Sequence, residues 1–322
     1  MVYNLSVIIP VYKAEQYVAK CVQSLLESTL AGIELIFVDD CSPDNSVKVI
    51  RETISSHDRK GIKCTFLSHT SNRGIVAARE TGVRCAEGKY IAFCDADDRV
   101  QPDMYEKLYT MAERAEADLV YCGFFMEHRL SVEECASFEF SEDKESLIRN
   151  LISYSWTVVW NLIVRRNILV QYDWTKMRGQ NYCEDFHLLV WLFQKSRNIR
   201  KVCEPLYYYN RCNNESVMHH LNSATAQSER ICYSDTIDFL RSEGIFSNYE
   251  KEMGWRVLKC KQDLVLSPNN HEEFMQLFPF SHKYIASCPF CNKKIKVMMW
   301  LLTHQWRLLL LVIIKLRKFM GR

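Results

Sequence analysis

The stretch IELIFVDDCSPDNS, residues 33–46, joins an apolar run to a cluster of acids. A short, continuous apolar run that ends in turn residues is typical of a buried strand. Asp39, Asp40 and Asp44 then place three carboxylates within residues 38–46. Carboxylates held this close repel one another unless a cation or hydrogen-bond donors bind them. The stretch therefore predicts a buried strand whose carboxyl end carries a ligand site.

Three further apolar runs have the same character, and segments with helical spacing of apolar residues separate the four runs. The runs are LSVIIPVY (5–12), KCTFLSH (63–69) and KYIAFCDADD (89–98), and the helical segments are EQYVAKCVQSLLES (15–28), SVKVIRETISSH (46–57) and GIVAARETGVRCAEG (74–88). Strands that alternate with helices predict an α/β fold with a mostly parallel sheet flanked by helices. Because ligands bind such sheets at the carboxyl ends of the strands, the polar residues after all four runs should form one site.

The rest of the chain follows a different pattern. We predict a helix over residues 101–117, a strand over 118–128 and an exposed acidic excursion over 131–146. The end of the chain has a mainly helical pattern. A length of 322 residues suits one large domain with an extension. The sequence therefore predicts an α/β domain of residues 1–215 and a helical C-terminal region of residues 216–322.

Composition and cysteine spacing exclude several classes of function. The net charge of +2 indicates no polyanionic partner, and we predict no nucleic-acid binding. The start of the chain shows no secretory signal, so we expect the 14 cysteines to be reduced thiols that pack as small apolar residues. Cys288 and Cys291 have the spacing of metal ligands. A zinc site needs four ligands, however, and no second close pair lies nearby.

The acids after the fourth run have the spacing of metal ligands. Asp95 and Asp97 are two residues apart beyond the strand, and Asp98 follows them. Carboxylates in this arrangement can share one hard divalent cation, which can neutralise a departing diphosphate. The alternative is a solvated acidic turn. The apolar run that precedes the acids favours the metal site.

Two other strand ends carry groups that suit a nucleotide. Asp39 or Asp40 could accept a hydrogen bond from a base or ribose, and the alternative role is capping of the next helix. The turn at residues 72–74 and Arg79 follow the third run, where an arginine could face a phosphate. An exposed surface arginine is the alternative for Arg79.

A second pair of acids lies far downstream. Glu184 and Asp185 precede a strongly apolar helical segment in NYCEDFHLLVWLF. Acids in a first helical turn are favoured by the helix dipole alone. The functional interpretation is a general base that a second segment supplies to the site.

Taken together, these residues resemble a family 2 glycosyltransferase with the GT-A fold, a Rossmann-like α/β fold, of the type that builds bacterial surface polysaccharides. The similar segments are SVIIPVYKAEQYVAKCVQSLLEST, IELIFVDDCSPDNS, NRGIVAARETGVRCAEGKYIAFCDADD, VVWNLIVRRNIL, CEDFHLLVWLF and LYYYNRCNNESVM. They cover about residues 4–218. No single segment is specific, but the ordered set is.

The resemblance implies a role for each matching residue. The nucleotide-sugar contacts would come from Pro10, Tyr12, Glu15, Asp39, Asp40, Asn72, Arg79, Asp95 and Ala96, with Tyr12 and Asp39 on the base. Asp97, together with Asp95, would hold Mn²⁺ or Mg²⁺. Asp185 would be the catalytic base with Glu184 beside it. Trp160 and Asn161 would lie near the sugar or acceptor.

The resemblance also implies the reaction. A hexosyl group would pass from a nucleotide-sugar, by family habit a UDP-sugar, with inversion and metal dependence. The acceptor would be a glycan or lipid-linked glycan in capsule, O-antigen or lipopolysaccharide synthesis. The chain departs from the family at Cys41, where the family usually has glycine. Because a side chain with a Cβ restricts positive φ, we expect the loop after Asp40 to follow a slightly different path.

The C-terminal tail is basic and amphipathic. Leu308–Ile314 is an apolar run of seven residues, far too short to span a bilayer of roughly 30 Å. The surrounding bases and two tryptophans suit a helix on an anionic membrane surface. We therefore predict a cytoplasmic protein that is peripheral on the inner face of the cell membrane. The alternative is a helix packed on the core or on a second subunit of a homodimer.

Two other functions compete with sugar transfer. A nucleotidyltransferase would use a similar sheet but would show a glycine-rich basic loop after the first strand, and PVYKAEQY has no glycine. A degenerate homologue could bind a nucleotide or sugar as a non-catalytic scaffold. A protein that only binds sugar or acts as a scaffold would have no need of both the metal acids and Asp185, but a degenerate homologue could keep them by descent, so the residues leave this alternative open.

Overall fold

The computed structural model describes residues 3–57, 61–135, 139–153, 157–213 and 223–319. The chain forms two compact units. The first unit comprises Met1–Ile148 and Trp156–Ser228, and the second comprises Arg149–Ser155 and Glu229–Arg322.

The first unit is built on one sheet of nine strands. The strands are β1 (Leu5–Val11), β2 (Ile33–Asp39), β3 (Lys63–Ser68), β4 (Tyr90–Phe93), β5 (Arg99–Val100), β6 (Leu119–Glu127), β7 (Val132–Cys135), β8 (Leu162–Arg165) and β9 (Ile199–Asn210). Their order is β3-β2-β1-β4-β8-β6-β9-β5, and β7 pairs with β6. The helices whose residues all lie in this unit are α1 (Val18–Leu26), α2 (Ser46–Ser56), α3 (Ile75–Cys85), α4 (Met104–Arg114), α6 (Arg166–Leu169) and α7 (Glu184–Lys195).

The first four strands are parallel, as the sequence predicts. β1 pairs with β2 and β4, and β2 pairs with β3. Every residue of β4 is buried, and β1 and β2 are buried apart from one residue each. This explains their continuous apolar runs, because a parallel strand is covered on both faces. The carboxyl ends of these strands all lie at one edge of the sheet.

The later strands make the sheet mixed. β8 pairs antiparallel with both β4 and β6, and β5 pairs antiparallel with β9. β9 returns parallel to β6 with an irregularity at Gly123. The predicted helix over 101–117 and strand over 118–128 correspond to α4 and β6. The predicted excursion contains the short strand β7, whose residues are mostly exposed.

The second unit is helical in its described part. Its helices are α9 (Phe246–Lys261), α10 (His271–Gln276), α11 (Lys293–Thr303) and α12 (Arg307–Phe319), with short 3₁₀ helices at Gln262–Leu266, Pro268–Asn270 and Pro279–Tyr284. The chain passes between the units within α5 (Lys144–Ser153) and α8 (Ser223–Ser242). Apolar residues of α9 to α12 form one core. Within the described ranges, no helix combines the length and the apolar character that crossing a membrane requires.

Candidate functional site

The loops after β1 and β2 are tied together at the carboxyl edge of the sheet. The Glu15 carboxylate accepts bonds from the backbone and side chain of Asn45, at 2.9 and 3.0 Å. The Ser46 hydroxyl binds the Ala14 N–H at 2.9 Å. Pro10 is half-buried in β1, and the Tyr12 ring lies 45% exposed directly after it. Of the residues predicted to contact the nucleotide, Tyr12 is thus open to solvent and Glu15 supports the loop.

The two acids after β2 have different surroundings. Asp40 is buried, and its carboxylate accepts the N–H groups of Arg73 and Gly74 at 2.8 and 2.7 Å and contacts His69 at 2.7 Å. Asp39 is half-buried and binds the Ser42 N–H at 3.0 Å. Asp40 therefore anchors the loop after β3. Asp39 is the acid of this pair that faces outward.

Cys41 adopts a left-handed conformation, with φ of 60°. This is the turn at which the sequence, with cysteine where the family usually has glycine, predicts a slightly different path of the loop after Asp40. The backbone keeps the positive φ that glycine would favour, and the cysteine accepts the strain. The exposed thiol points away from the buried network of Asp40.

The loop after β3 approaches the segment that leads into α7. Gly74 has φ of 84°, and a Cβ at this position would lie 2.5 Å from the Asn181 side-chain oxygen. The positive φ favours glycine at this position, and a Cβ would also require the Asn181 side chain to move. Asn72, predicted to contact the nucleotide-sugar, is exposed on the same loop.

The acidic loop after β4 is fixed by β9 and the residues that follow it. Asp98 is buried and accepts the Tyr207 hydroxyl and the Asn210 N–H, both at 2.7 Å. The Tyr207 hydroxyl also accepts the Asp95 N–H at 3.1 Å. The side-chain amide of Asn213 donates to Asp97 at 2.7 Å. These three partners were not predicted as site residues, although they lie in the LYYYNRCNN segment.

Arg79 brings the acids of β4 and α7 together. The Arg79 side chain is only 2% exposed. Its Nη1 atom lies 2.5 Å from Asp185 Oδ1 and 3.2 Å from Glu184 Oε1. Its Nη2 atom lies 3.6 Å from Asp95 Oδ1. The predicted base and the predicted metal acid, 90 positions apart in the sequence, thus share one cation. We call Arg79, Asp95, Glu184 and Asp185 the arginine cluster.

The cluster places three carboxyl groups around one guanidinium. Burial and the neighbouring Asp185 together raise the pKa of Glu184 to about 8, against the attraction of Arg79. Burial likewise raises the pKa of Asp95 to about 7, although Arg79 opposes this shift. Burial alone would lower the pKa of the Arg79 guanidinium, but its three carboxylates raise it overall. One guanidinium therefore does not neutralise the surrounding acids.

Asp95 and Asp97 fit a hard divalent cation. Asp95 Oδ1 is buried and, in the described part of the chain, accepts no hydrogen bond. Burial raises the pKa of Asp97, against the Asn213 bond that lowers it. Such cations prefer carboxylate oxygens and take their remaining ligands from water and substrate phosphates. Ala96 is buried between the two acids and keeps them on one turn.

The two predicted acceptor-side residues are buried. Trp160 is 2% exposed, stacks on Tyr207 at 4.2 Å between ring centroids, and meets Phe124 edge-on. The side-chain amide of Asn161 donates to the Cys122 carbonyl oxygen. In return, the Cys122 N–H and thiol donate to the Asn161 carbonyl oxygen. Both residues therefore support β9 and β6 from the core in this structure. A direct contact with an acceptor stays a prediction.

The cysteine pair of the second unit lies outside this site. The Cys288 and Cys291 sulfurs are 3.6 Å apart and buried. Over the described ranges of the chain, no group of three or more His, Cys, Asp or Glu side chains is placed to hold a metal ion. The metal acids Asp95 and Asp97 are a pair, so a cation there would need ligands from its substrate or from water.

Comparison with known proteins identifies relatives. The profile described as glycosyl transferase family 2 matches residues 6–134. The chain is similar to the uncharacterized glycosyltransferase YibD of Escherichia coli, with 31% identity over 237 residues, which is 70% of this chain and 67% of YibD.

Solved structures show the same fold. Residues 1–349 of TarS from S. aureus, in complex with UDP-GlcNAc, align with a TM-score of 0.69 at 15% identity, over 99% of this chain and 92% of that chain. The mannosyltransferase PcManGT from Pyrobaculum calidifontis, in complex with GDP-Man and Mn²⁺, aligns with a TM-score of 0.57 at 13% identity, over 95% of this chain and 87% of that chain. The predicted fold class, an α/β sheet with a helical C-terminal part, is confirmed.

Proposed function

The chain belongs to glycosyl transferase family 2, and from that premise we propose that it transfers a sugar from a UDP-sugar to an acceptor hydroxyl with inversion at the anomeric carbon. The observation that carries the proposal is the arginine cluster, in which Arg79 binds Asp95 after β4 and Asp185 at the start of α7. This arrangement supports a donor site and a proton acceptor in one place.

The donor would lie on the loops at the carboxyl edge of the sheet. Tyr12 is exposed beside that edge and offers a ring face to the base. Asp39 is half-buried and offers an acceptor for a base N–H. The TarS complex with UDP-GlcNAc supports a uridine nucleotide on this fold. We place Asn72 and Ala96 along the same path, and assign Asp40 and Glu15 to holding its loops.

A divalent cation, Mn²⁺ or Mg²⁺, would be held by Asp97 and Asp95. It would supply positive charge beside the diphosphate leaving group. The crowding of partly buried carboxyl groups supports this assignment, as does Asp95 Oδ1, which faces Arg79 Nη2 at 3.6 Å but accepts no hydrogen bond among the described residues. The Mn²⁺ in the PcManGT complex supports metal use within the fold.

Asp185 is proposed as the general base. Arg79 binds Oδ1 of Asp185, which leaves Oδ2 for a proton from the acceptor hydroxyl. As the acceptor oxygen bonds to the anomeric carbon, the bond from that carbon to the diphosphate breaks, and the diphosphate leaves with the electron pair. Asp185 takes the acceptor proton, which completes a single displacement and inverts the configuration.

Arg79 is proposed as a positioning residue. Its guanidinium is buried and binds three carboxylates, so it has no exposed N–H fork for a phosphate. It holds the first turn of α7 against the acidic loop through these ion pairs. This role differs from the nucleotide contact that the resemblance implies.

The acceptor is proposed to be a glycan or lipid-linked glycan of a bacterial surface polysaccharide. An enzyme with a lipid-linked acceptor works at a membrane surface, and the basic C-terminal helix supports a peripheral position on the inner face of the cell membrane. A base at Asp185 requires only a hydroxyl on the acceptor. The proposed membrane position is therefore the reason to seek the acceptor among glycans of surface-polysaccharide pathways.

The first test measures nucleotide binding. Thermal unfolding is followed with UDP, GDP and CMP, each with and without Mn²⁺. We expect UDP with Mn²⁺ to raise the unfolding temperature more than either alone, because a cation held by Asp97 and Asp95 would supply positive charge beside the diphosphate. If no nucleotide shifts the unfolding temperature with or without metal, the donor site is refuted and a non-catalytic scaffold becomes the better account.

The second test separates binding from chemistry. We expect Asp185→Asn to lower the transfer rate by about 10²–10⁴-fold, because the amide cannot take the acceptor proton, while the UDP-dependent thermal shift persists. Asp173→Asn is the control, since Asp173 binds its own turn at Thr175. Near-normal turnover of Asp185→Asn would show that another group is the base.

A further inference from the structure

Exposed apolar side chains are concentrated at the end of the second unit. Val297 and Trp300 on α11, Trp306 in the connection, and Leu308 and Val312 on α12 are 45–82% exposed. Large apolar side chains outside the core are common singly, but a contiguous group indicates a binding surface. We call these five residues the α11–α12 face.

The two helices are already fixed by their opposite sides. Leu310 and Ile314, one turn apart on α12, are buried in the core of the second unit. Leu308 and Val312 lie about half a turn away on the other side of α12. On α11, Met298 and Met299 are buried while Trp300 is exposed. The α11–α12 face is therefore a second apolar surface, separate from the one that the fold uses.

The charge around this face has one sign. Residues 274–322 contain nine Lys and Arg and no Asp or Glu, although the whole chain carries only +2. Lys293 and Lys294 at the start of α11, and Arg307 and Lys315 on α12, are exposed around the face. A positive rim around an apolar centre complements an anionic lipid surface, and tryptophans favour the level of the lipid headgroups.

We infer that the α11–α12 face docks on an anionic bilayer surface while the second unit stays folded. A second copy of the chain fits less well, because residues 274–322 contain Lys and Arg but no Asp or Glu, and a two-fold interface between these segments would bring like charges together. The inference deepens the proposed membrane position and rests on it for the choice of lipid. Vesicle binding needs neither donor nor acceptor, so its outcome is separate from that of the transfer reaction.

The test uses the full chain and sedimentation with vesicles. One set contains phosphatidylglycerol and phosphatidylcholine, and the other contains phosphatidylcholine alone. We expect binding to the anionic set that weakens as salt is raised, and weaker binding to the neutral set. Equal binding to both sets, or to neither, would overturn the inference.

Two matched variants locate the surface. Leu308→Glu places a charge in the centre of the face, and we expect it to weaken vesicle binding by about tenfold or more. Leu130→Glu makes the same change at a leucine that is 96% exposed between β6 and β7, and should leave binding unchanged. Because both leucines are exposed, we expect both variants to fold. The thermal unfolding of each variant checks this. Unchanged vesicle binding by Leu308→Glu, with loss of a dimer in solution, would assign the face to a second copy instead.

Discussion

The loops that follow β2 and β4 both carry clustered acids, but they use these acids differently. Each places acids beyond a buried strand, and each uses one acid as an anchor: Asp40 binds the backbone of the loop after β3, and Asp98 binds Tyr207 and Asn210. After β2 one acid, Asp39, remains partly exposed to solvent and available to a ligand. After β4 two acids remain, Asp95 and Asp97. An acidic cluster therefore divides into anchors and ligand groups, and only the structure shows the division.

The remaining groups set the chemistry of each end. One half-buried carboxylate with a bond from its own turn, like Asp39, suits a hydrogen bond to a base. Two neighbouring carboxylates, with Asp95 paired to Arg79 and Asp97 bound by Asn213, suit a divalent cation. The following predictions test this contrast in order of expected effect.

The largest effect is expected at the end of β4. Asp97→Asn should lower the transfer rate by about 100- to 1,000-fold, because the charge beside the diphosphate would no longer be held in place. Turnover at saturating donor and Mn²⁺ measures this. Asp103→Asn, a change of an exposed acid before α4, is the control. Near-normal turnover of Asp97→Asn would remove Asp97 from the metal site.

The next effect is on stability, at the end of β2. Asp40→Ala should lower the free energy of unfolding by about 3 kcal/mol, because two backbone N–H groups and the His69 ring lose a buried carboxylate partner. Asp39→Ala should cost about 1 kcal/mol or less, since it loses one bond in a partly exposed turn. Urea unfolding compares them. Equal losses would mean that the two acids are not divided into anchor and ligand group.

The same pair sharpens the contrast in binding. Asp39→Ala should weaken UDP binding, because the base loses an acceptor, even though the fold is nearly as stable as before. The thermal shift on addition of UDP and Mn²⁺ measures this. A full thermal shift in Asp39→Ala would show that Asp39 does not contact the nucleotide.

The smallest effect is expected at Cys41. Cys41→Gly should stabilise the fold by about 1 kcal/mol, because glycine adopts φ of 60° without strain. Cys41→Ala is the control, since it keeps the Cβ and removes only the thiol. A gain in Cys41→Ala equal to that in Cys41→Gly would point to the sulfur rather than the backbone.

The sequence predicts the parallel half of the sheet because its signals are local. β1 to β4 and the helices between them follow from apolar runs and helical spacing, and the structure confirms them. β5, β8 and β9 were not predicted as strands, because their pairing joins segments far apart in the chain. β8, for example, lies between β4 and β6 and continues the sheet only once both are placed.

The candidate site shows the same limit. The sequence marks Arg79 as a helical residue near a strand end, but its partners Glu184 and Asp185 lie 105 and 106 residues away. Asp39 and Asp40 look equivalent until the N–H groups of Arg73 and Gly74 are in place. The sequence alone does not show what Trp160 packs against. Its stacking on Tyr207 becomes visible only in the folded sheet.

The Tyr207 hydroxyl joins the acidic loop to β9, which has a consequence for how the protein is made. The loop at Asp95–Asp98 leaves the ribosome about 110 residues before the groups that hold it, Tyr207, Asn210 and Asn213. The first four strands can form on the nascent chain in that interval, whereas the acidic loop cannot reach its final shape. Ribosome-bound chains that end before β9 would therefore carry the first four strands and an acidic loop without its final hydrogen bonds. If the loop holds a cation as proposed, metal-dependent binding would begin only after β9 has joined the sheet.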